Sequence, residues 1–98
     1  MKDPNKQYYV YILTNKVNTA LYVGVTSNLA ARVFQHKSKQ ADGFTKRYSI
    51  DKLVHYEIYS DAISAISREK QLKAGSRKKK IDLIEKENKE WRDLSDDL

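Results

Sequence analysis

Ninety-eight residues and 11.4 kDa leave room for one compact domain, and a 40% hydrophobic share can build its core without staples. Nineteen Lys and Arg against thirteen Asp and Glu give a net charge of +6, which excludes an acidic solvating chain and points to a polyanionic partner. The lack of cysteine and the presence of only two histidines exclude a disulfide frame and a zinc site built from these residues alone.

Residues 1–7 (MKDPNKQ) have no apolar centre, so they do not read as a secretion signal. The longest apolar stretch, residues 20–25, is far too short for a bilayer. The expected location is a reducing compartment, the cytoplasm. Pro4 and Asn5 punctuate the start. Residues 8–14 (YYVYILT) are β-branched and aromatic throughout and predict a strand. Tyr9, Tyr11 and Leu13 face one side, and Tyr8, Val10 and Ile12 face the other. Both faces are apolar or aromatic, so the strand is expected to be covered twice. Residues 15–19 (NKVNT) are turn formers, and residues 20–26 (ALYVGVT) predict a second strand in an antiparallel hairpin.

Ser27 or Asn28 caps a helix expected over 29–38, with Leu29 and Val33 as its apolar stripe. Residues 40–49 read as a loop turning at Asp42–Gly43. Residues 52–59 (KLVHYEIY) alternate and predict a third strand, with Val54, Tyr56 and Ile58 on one face. Ser60 or Asp61 caps the next helix, which stops at Gly75. Ser76 caps a last helix to about Asn88, with Ile81 and Ile84 inward. Trp91 is expected to fold back onto the core, and residues 95–98 to fray. The order is ββαβαα.

Four features do not fit a plain core. On the helix over 61–75, Ala62, Ala65, Ile66 and Leu72 share a face, and Glu69 falls on it. A carboxylate there needs a partner: either an i, i+4 pair with Lys73 or a bound cation. Arg32 and His36 stack four apart beside the Leu29/Val33 stripe, offering a phosphate fork and a near-neutral imidazole, or merely a polar edge. Tyr11 and Tyr22 lie on the two hairpin strands as packing residues or as phenols that handle protons. Gly24 interrupts a β-branched strand, which is costly unless something approaches its backbone closely.

The charge is uneven. Residues 68–80 (REKQLKAGSRKKK) hold seven basic groups and one acidic one, and residues 32–52 hold six and two. Residues 81–98 reverse the sign, with three basic and seven acidic groups. Two separate basic segments suit a phosphate-binding surface.

Together these residues resemble the GIY-YIG nuclease family. The first motif is Tyr9-Val10-Tyr11 and the second Tyr22-Val23-Gly24, about ten residues on. The second continues into GVTSNLAARVFQH, which is similar to the family helix that carries an arginine, here Arg32. KLVHYE resembles the family's third strand, and AISREKQLK its glutamate helix, with Glu69 in the glutamate position. The similarity runs from about residue 8 to 91. The small single-domain bacterial members are the nearest in kind, themselves similar to the N-terminal nuclease domain of the excinuclease. Tyr9 stands in place of the first motif's glycine, and Val25 in place of a lysine in the excinuclease relatives.

The resemblance implies an α/β fold of the α+β kind: a three-stranded antiparallel sheet flanked by three helices, one domain over 1–98. It implies a metal-dependent endonuclease that hydrolyses phosphodiester bonds in DNA with low sequence specificity, in DNA repair or recombination. Tyr11, Tyr22, Arg32, His36 and Glu69 would be catalytic, with Glu69 holding one divalent cation, Mg²⁺ or Mn²⁺. With Val25 in the lysine position, His36 or the metal would take over proton removal. Lys37, Lys46, Arg47, Arg68, Lys70, Lys73, Arg77 and Lys78 would bind the nucleic acid. The alternatives are a nucleic-acid-binding module without turnover and a subunit targeted by a protein partner through the acidic tail. No membrane association is expected.

Overall fold

The structure is a computed structural model that describes residues 6–39 and 43–98. Three strands form one antiparallel sheet in the order β2-β1-β3: β1 (Tyr8–Thr14), β2 (Leu21–Thr26) and β3 (Lys52–Tyr59). The central strand is buried on both faces, as its two-sided apolar pattern requires. Val10 and Ile12 join Val23, Val54, Ala65, Leu72 and Ile84 on one side. Tyr11 and Leu13 join Leu29, Val33, Ile50 and Leu53 on the other.

Two layers of helix cover these faces. Helix α1 (Leu29–Lys37) supplies Leu29 and Val33 to the second cluster. Helices α3 (Ala62–Ala74) and α4 (Arg77–Glu87) supply Ala65, Leu72 and Ile84 to the first, with Ile81 half-buried. Each of these helices starts on a side-chain cap. Asn28 accepts from Ala31 N at 3.1 Å, Asp61 from Ser64 N at 2.8 Å and Ser76 from Lys79 N at 3.1 Å. Of the paired cap candidates, Asn28 and Asp61 are the ones used.

Three expectations are corrected. First, the segment read as a loop contains a fourth α-helix, α2 (Gly43–Arg47), so the sheet has four α-helices around it among the described residues. A five-residue helix is too short to show periodicity, and its inward residue is a threonine, Thr45, rather than an apolar one. The expected turn residue Asp42 lies outside the described residues, as do Pro4 and Asn5.

Second, Val54 and Tyr56 do not share a face. Leu13 pairs with Leu53 and Ile12 with His55, so Val54 is an extra residue that bulges β3. The bulge puts Val54 and His55 together on the Ile12 side, so Leu53 and Tyr56 both pack on the Tyr11 side. The Val54 carbonyl accepts from Asn88 Nδ2 at 3.1 Å.

Third, of residues 95–98, expected to fray, the first three lie in a 3-10 helix (Leu94–Asp97). Asp93 anchors it, accepting from Leu53 N at 3.3 Å, Ser95 N at 3.0 Å and Lys37 Nζ at 2.7 Å. Leu94 packs against the Tyr11 cluster, and Trp91 folds back against the other one, as expected. Ion pairing and backbone capture together hold a segment whose composition reads as solvated.

Candidate active site

The site begins with the β1–β2 hairpin. Tyr11 is paired with Gly24, and Leu13 with Tyr22, so the two tyrosines lie on one face two rungs apart. Their ring centroids are 6.3 Å apart at 43°. Gly24 has no side chain because the Tyr11 ring takes its place. A Cβ at position 24 would overlap Tyr11 Cζ and Oη and come within 2.9 Å of Cε1. The close approach that would excuse a glycine in this strand is therefore made by the phenol itself.

Helix α1 lies over this face. Its Asn28 cap and its Leu29/Val33 stripe set the rotation that brings Arg32 and His36 onto the tyrosines. Arg32 Nε donates to Tyr11 Oη at 3.4 Å, and His36 Nε2 lies 3.4 Å from the same oxygen. The imidazole also sits 5.5 Å from the Tyr22 ring, centroid to centroid. His36 is 2% exposed, and its Nδ1 is 3.1 Å from Thr45 Oγ1 on α2. It is thus not the polar edge that spacing alone allowed, but a buried imidazole held between a phenol and a hydroxyl. The hydrogen bond to Tyr11 raises the Arg32 pKa above its ordinary value, and the smaller opposing effect of burial does not reverse this. The guanidinium stays charged. At 3.4 Å both contacts to the phenol are longer than an ordinary hydrogen bond.

Glu69 is placed elsewhere. Helix α3 packs on the Val10/Ile12 face, while α1 packs on the Tyr11 face. The Glu69 side chain is only 15% exposed and pairs with Lys73 at 3.2 Å, the i, i+4 partner available from sequence. No group of three or more His, Asp or Glu able to hold a metal occurs among the described residues. One half-buried carboxylate is nonetheless a donor set that suits Mg²⁺, which keeps most of its water and takes its other ligands from substrate phosphate.

The basic residues divide. Lys37 is tied to Asp93, Lys73 to Glu69, and Lys78 to Asp82 at 2.8 Å, the last pair being highly exposed and of little energetic weight. Arg77 Nη2 reaches the Asn18 carbonyl at 3.5 Å. Lys46, Arg47 and Lys70 are exposed. Arg68 is bound twice to Glu57, through Nε at 2.9 Å and Nη2 at 3.1 Å.

That last pair belongs to a cluster that sequence reasoning missed. Glu57 also accepts from Tyr59 Oη at 2.8 Å and lies 2.8 Å from His55 Nε2. Burial pushes the Glu57 carboxyl up, but the bonds from Arg68, His55 and Tyr59 overcome it and hold the pKa at about 2. The available signal was the i, i+2 spacing of His55, Glu57 and Tyr59 on an alternating strand. It joins β3 to α3 on the face away from His36.

Comparison with known proteins bears on the family and the fold. The profile of the GIY-YIG catalytic domain matches residues 7–82. A UPF0213 protein of Staphylococcus haemolyticus is 37% identical over 79 residues, covering 81% of this chain and 95% of that protein. One from Syntrophus aciditrophicus is 41% identical over 83 residues, covering 84% and 93%. The solution NMR structure of a UPF0213 protein from Bacillus halodurans superposes with a TM-score of 0.57 at 26% identity, covering 90% of this chain and 93% of that one.

Proposed function

Because the chain belongs to the GIY-YIG family, whose catalytic domain matches residues 7–82, we propose that it is a metal-dependent endonuclease hydrolysing phosphodiester bonds in DNA with low sequence specificity. In this role residues 1–98 act as one catalytic domain. The observation that carries it is the convergence of Arg32 Nε and His36 Nε2 on the Tyr11 hydroxyl, with Tyr22 alongside.

The roles follow from the groups. Arg32 offers a permanent positive charge to a non-bridging phosphate oxygen, where charge develops as water attacks phosphorus. Tyr11 or Tyr22 orients the attacking water. His36 lies within reach of the Tyr11 proton, so phenol and imidazole can share the proton the water gives up. Val25 leaves no lysine beside the motif to do this. Glu69 would hold Mg²⁺ or Mn²⁺, which would supply Lewis-acid stabilisation of charge on a phosphate oxygen. The products are a 5′-phosphate and a 3′-hydroxyl. Lys46, Arg47 and Lys70 are the basic residues most available to the backbone of the nucleic acid, and DNA repair or recombination is the setting that suits the activity.

The test is nicking of supercoiled plasmid with Mg²⁺ or Mn²⁺ by the wild type, Arg32→Ala and Glu69→Ala. Each variant is expected to lose about a hundredfold or more in rate. Equal nicking by all three would overturn the assignment.

One observation favours a second reading. The Lys73 ammonium already occupies the Glu69 carboxylate, as in a binding module without turnover. In that case binding would weaken steeply with salt, by roughly 0.9 log units per phosphate contact on duplex DNA, and no metal would restore cleavage.

A further inference from the structure

Helix α2 and the tyrosine that follows it present an aromatic surface to solvent. Phe44 is 52% exposed and Tyr48 is 50% exposed. Their rings sit 5.2 Å apart, and neither belongs to the two core clusters. The Arg47 guanidinium lies 5.6 Å from the Tyr48 ring centroid, and Lys46 is exposed beside it. Residues 43–48 (GFTKRY) thus hold two aromatics, two cations and no acid.

The opposite side of the same helix is tied to the catalytic centre. Thr45, next to Phe44 in the chain, is 2% exposed and meets His36 Nδ1 at 3.1 Å. Ile50 N donates to the Thr45 carbonyl at 2.9 Å, and Ile50 is fully buried in the Tyr11 cluster. Lys39 and Asp51, on either side of the excursion, are paired at 3.1 Å. The segment that carries the aromatic pair is therefore tied to His36 and to the Tyr11 cluster.

We propose that Phe44 and Tyr48 form a stacking platform for unpaired bases of single-stranded DNA, with Arg47 and Lys46 on the adjoining phosphates. It rests on the nuclease reading and names the substrate class: DNA with unpaired nucleotides flanking the scissile bond. Half-exposed rings beside cations and without acids match a strand that offers alternating π-faces and phosphates. A duplex hides its base faces, so this surface gives a duplex only its cations. Stacking is tolerant of sequence, since every base has a π-face.

The experiment measures anisotropy of fluorescein-labelled oligothymidylate and of a blunt hairpin duplex, in EDTA, with the wild type and Phe44→Ala/Tyr48→Ala. The ratio of single-strand to duplex affinity should fall about tenfold or more in the variant. Phe44→Trp/Tyr48→Phe should keep the wild-type ratio. The indole introduced there should be quenched by oligothymidylate, beyond any response of Trp91 in the wild type. Circular dichroism checks that the alanine variant is folded; if it is not, the single Phe44→Trp quenching measurement decides alone. An unchanged ratio, or no quenching, while the wild type still nicks plasmid, would overturn the platform and leave the nuclease reading standing. A wild type that neither binds nor cuts DNA would overturn both.

Discussion

Gly24 lies directly across the ladder from Tyr11, and the Tyr11 phenol fills the space that a side chain at position 24 would need. The glycine of one motif and the tyrosine of the other are thus a single packing unit. The hydroxyl that Arg32 and His36 share is placed by a missing methyl group.

Gly24→Ala should therefore displace the phenol. The expected destabilisation is about 1–3 kcal/mol, the usual cost of overfilling a packed core. Nicking activity should fall with it, because Tyr11 Oη leaves Arg32 and His36. In a Tyr11→Leu background the same exchange should cost less than about 1 kcal/mol by urea unfolding. The full cost persisting there would show that some other contact requires the glycine.

The His36 imidazole depends on Thr45. Thr45→Val keeps the shape of the side chain but removes the hydroxyl at Nδ1, leaving a buried bonding group at a cost of about 1–3 kcal/mol. Thr45 is a positioning residue, so the pH profile of nicking should also shift, and Thr45→Ser should restore it. A loss of activity that merely tracks unfolding, with an unmoved profile, would reduce Thr45 to packing.

Glu57 sets the acid side of stability. Its folded pKa of about 2 lies below the ordinary value of 4.5. A depressed carboxylate contributes stability that is fully present above pH 4.5 and is lost as pH falls towards 2. Glu57→Gln should flatten the fall of the urea midpoint across that window. An unchanged slope would mean that other carboxylates carry it.

Asp93 gathers several of the bonds that hold the C-terminal segment. Asp93→Ala removes the acceptor for Leu53 N, Ser95 and Lys37 together. We expect a loss of about 1–3 kcal/mol, and faster amide exchange at Ser95 and Leu53. Burial raises the Asp93 carboxyl, but Lys37 and Ser95 outweigh it and hold the pKa below its ordinary value. The latch should thus be intact at neutral pH and weaken as pH falls below the ordinary carboxylate range. High salt should weaken it only partly, because two of its donors are neutral backbone groups.

All three strands, three of the helices and the two-faced burial of β1 could be read from residue order. Alternation along YYVYILT, the cap candidates before each helix and the spacing of Leu29 and Val33 are local patterns. They repeat within a few residues and need no knowledge of what the chain meets later. Such patterns also set Arg32, His36 and Glu69 apart, each beside or inside an apolar stripe, while the catalytic reading of these three and of Tyr11 and Tyr22 came from the family resemblance.

What each of those groups touches could not be read this way. His36 meets Tyr11 across 25 residues, Asp93 meets Leu53 across 40, and Arg68 is captured by Glu57 across 11. A bulge at Val54 turned one alternating face into two, and α2 formed where a polar helix side could be buried against His36. These outcomes depend on strand register and on which surfaces the returning chain covers, and both arise only as the chain folds. Composition could say that 98 residues with a charge of +6 favour a polyanion. Packing determined which of those cations are already paired within the protein and which remain for a phosphate backbone.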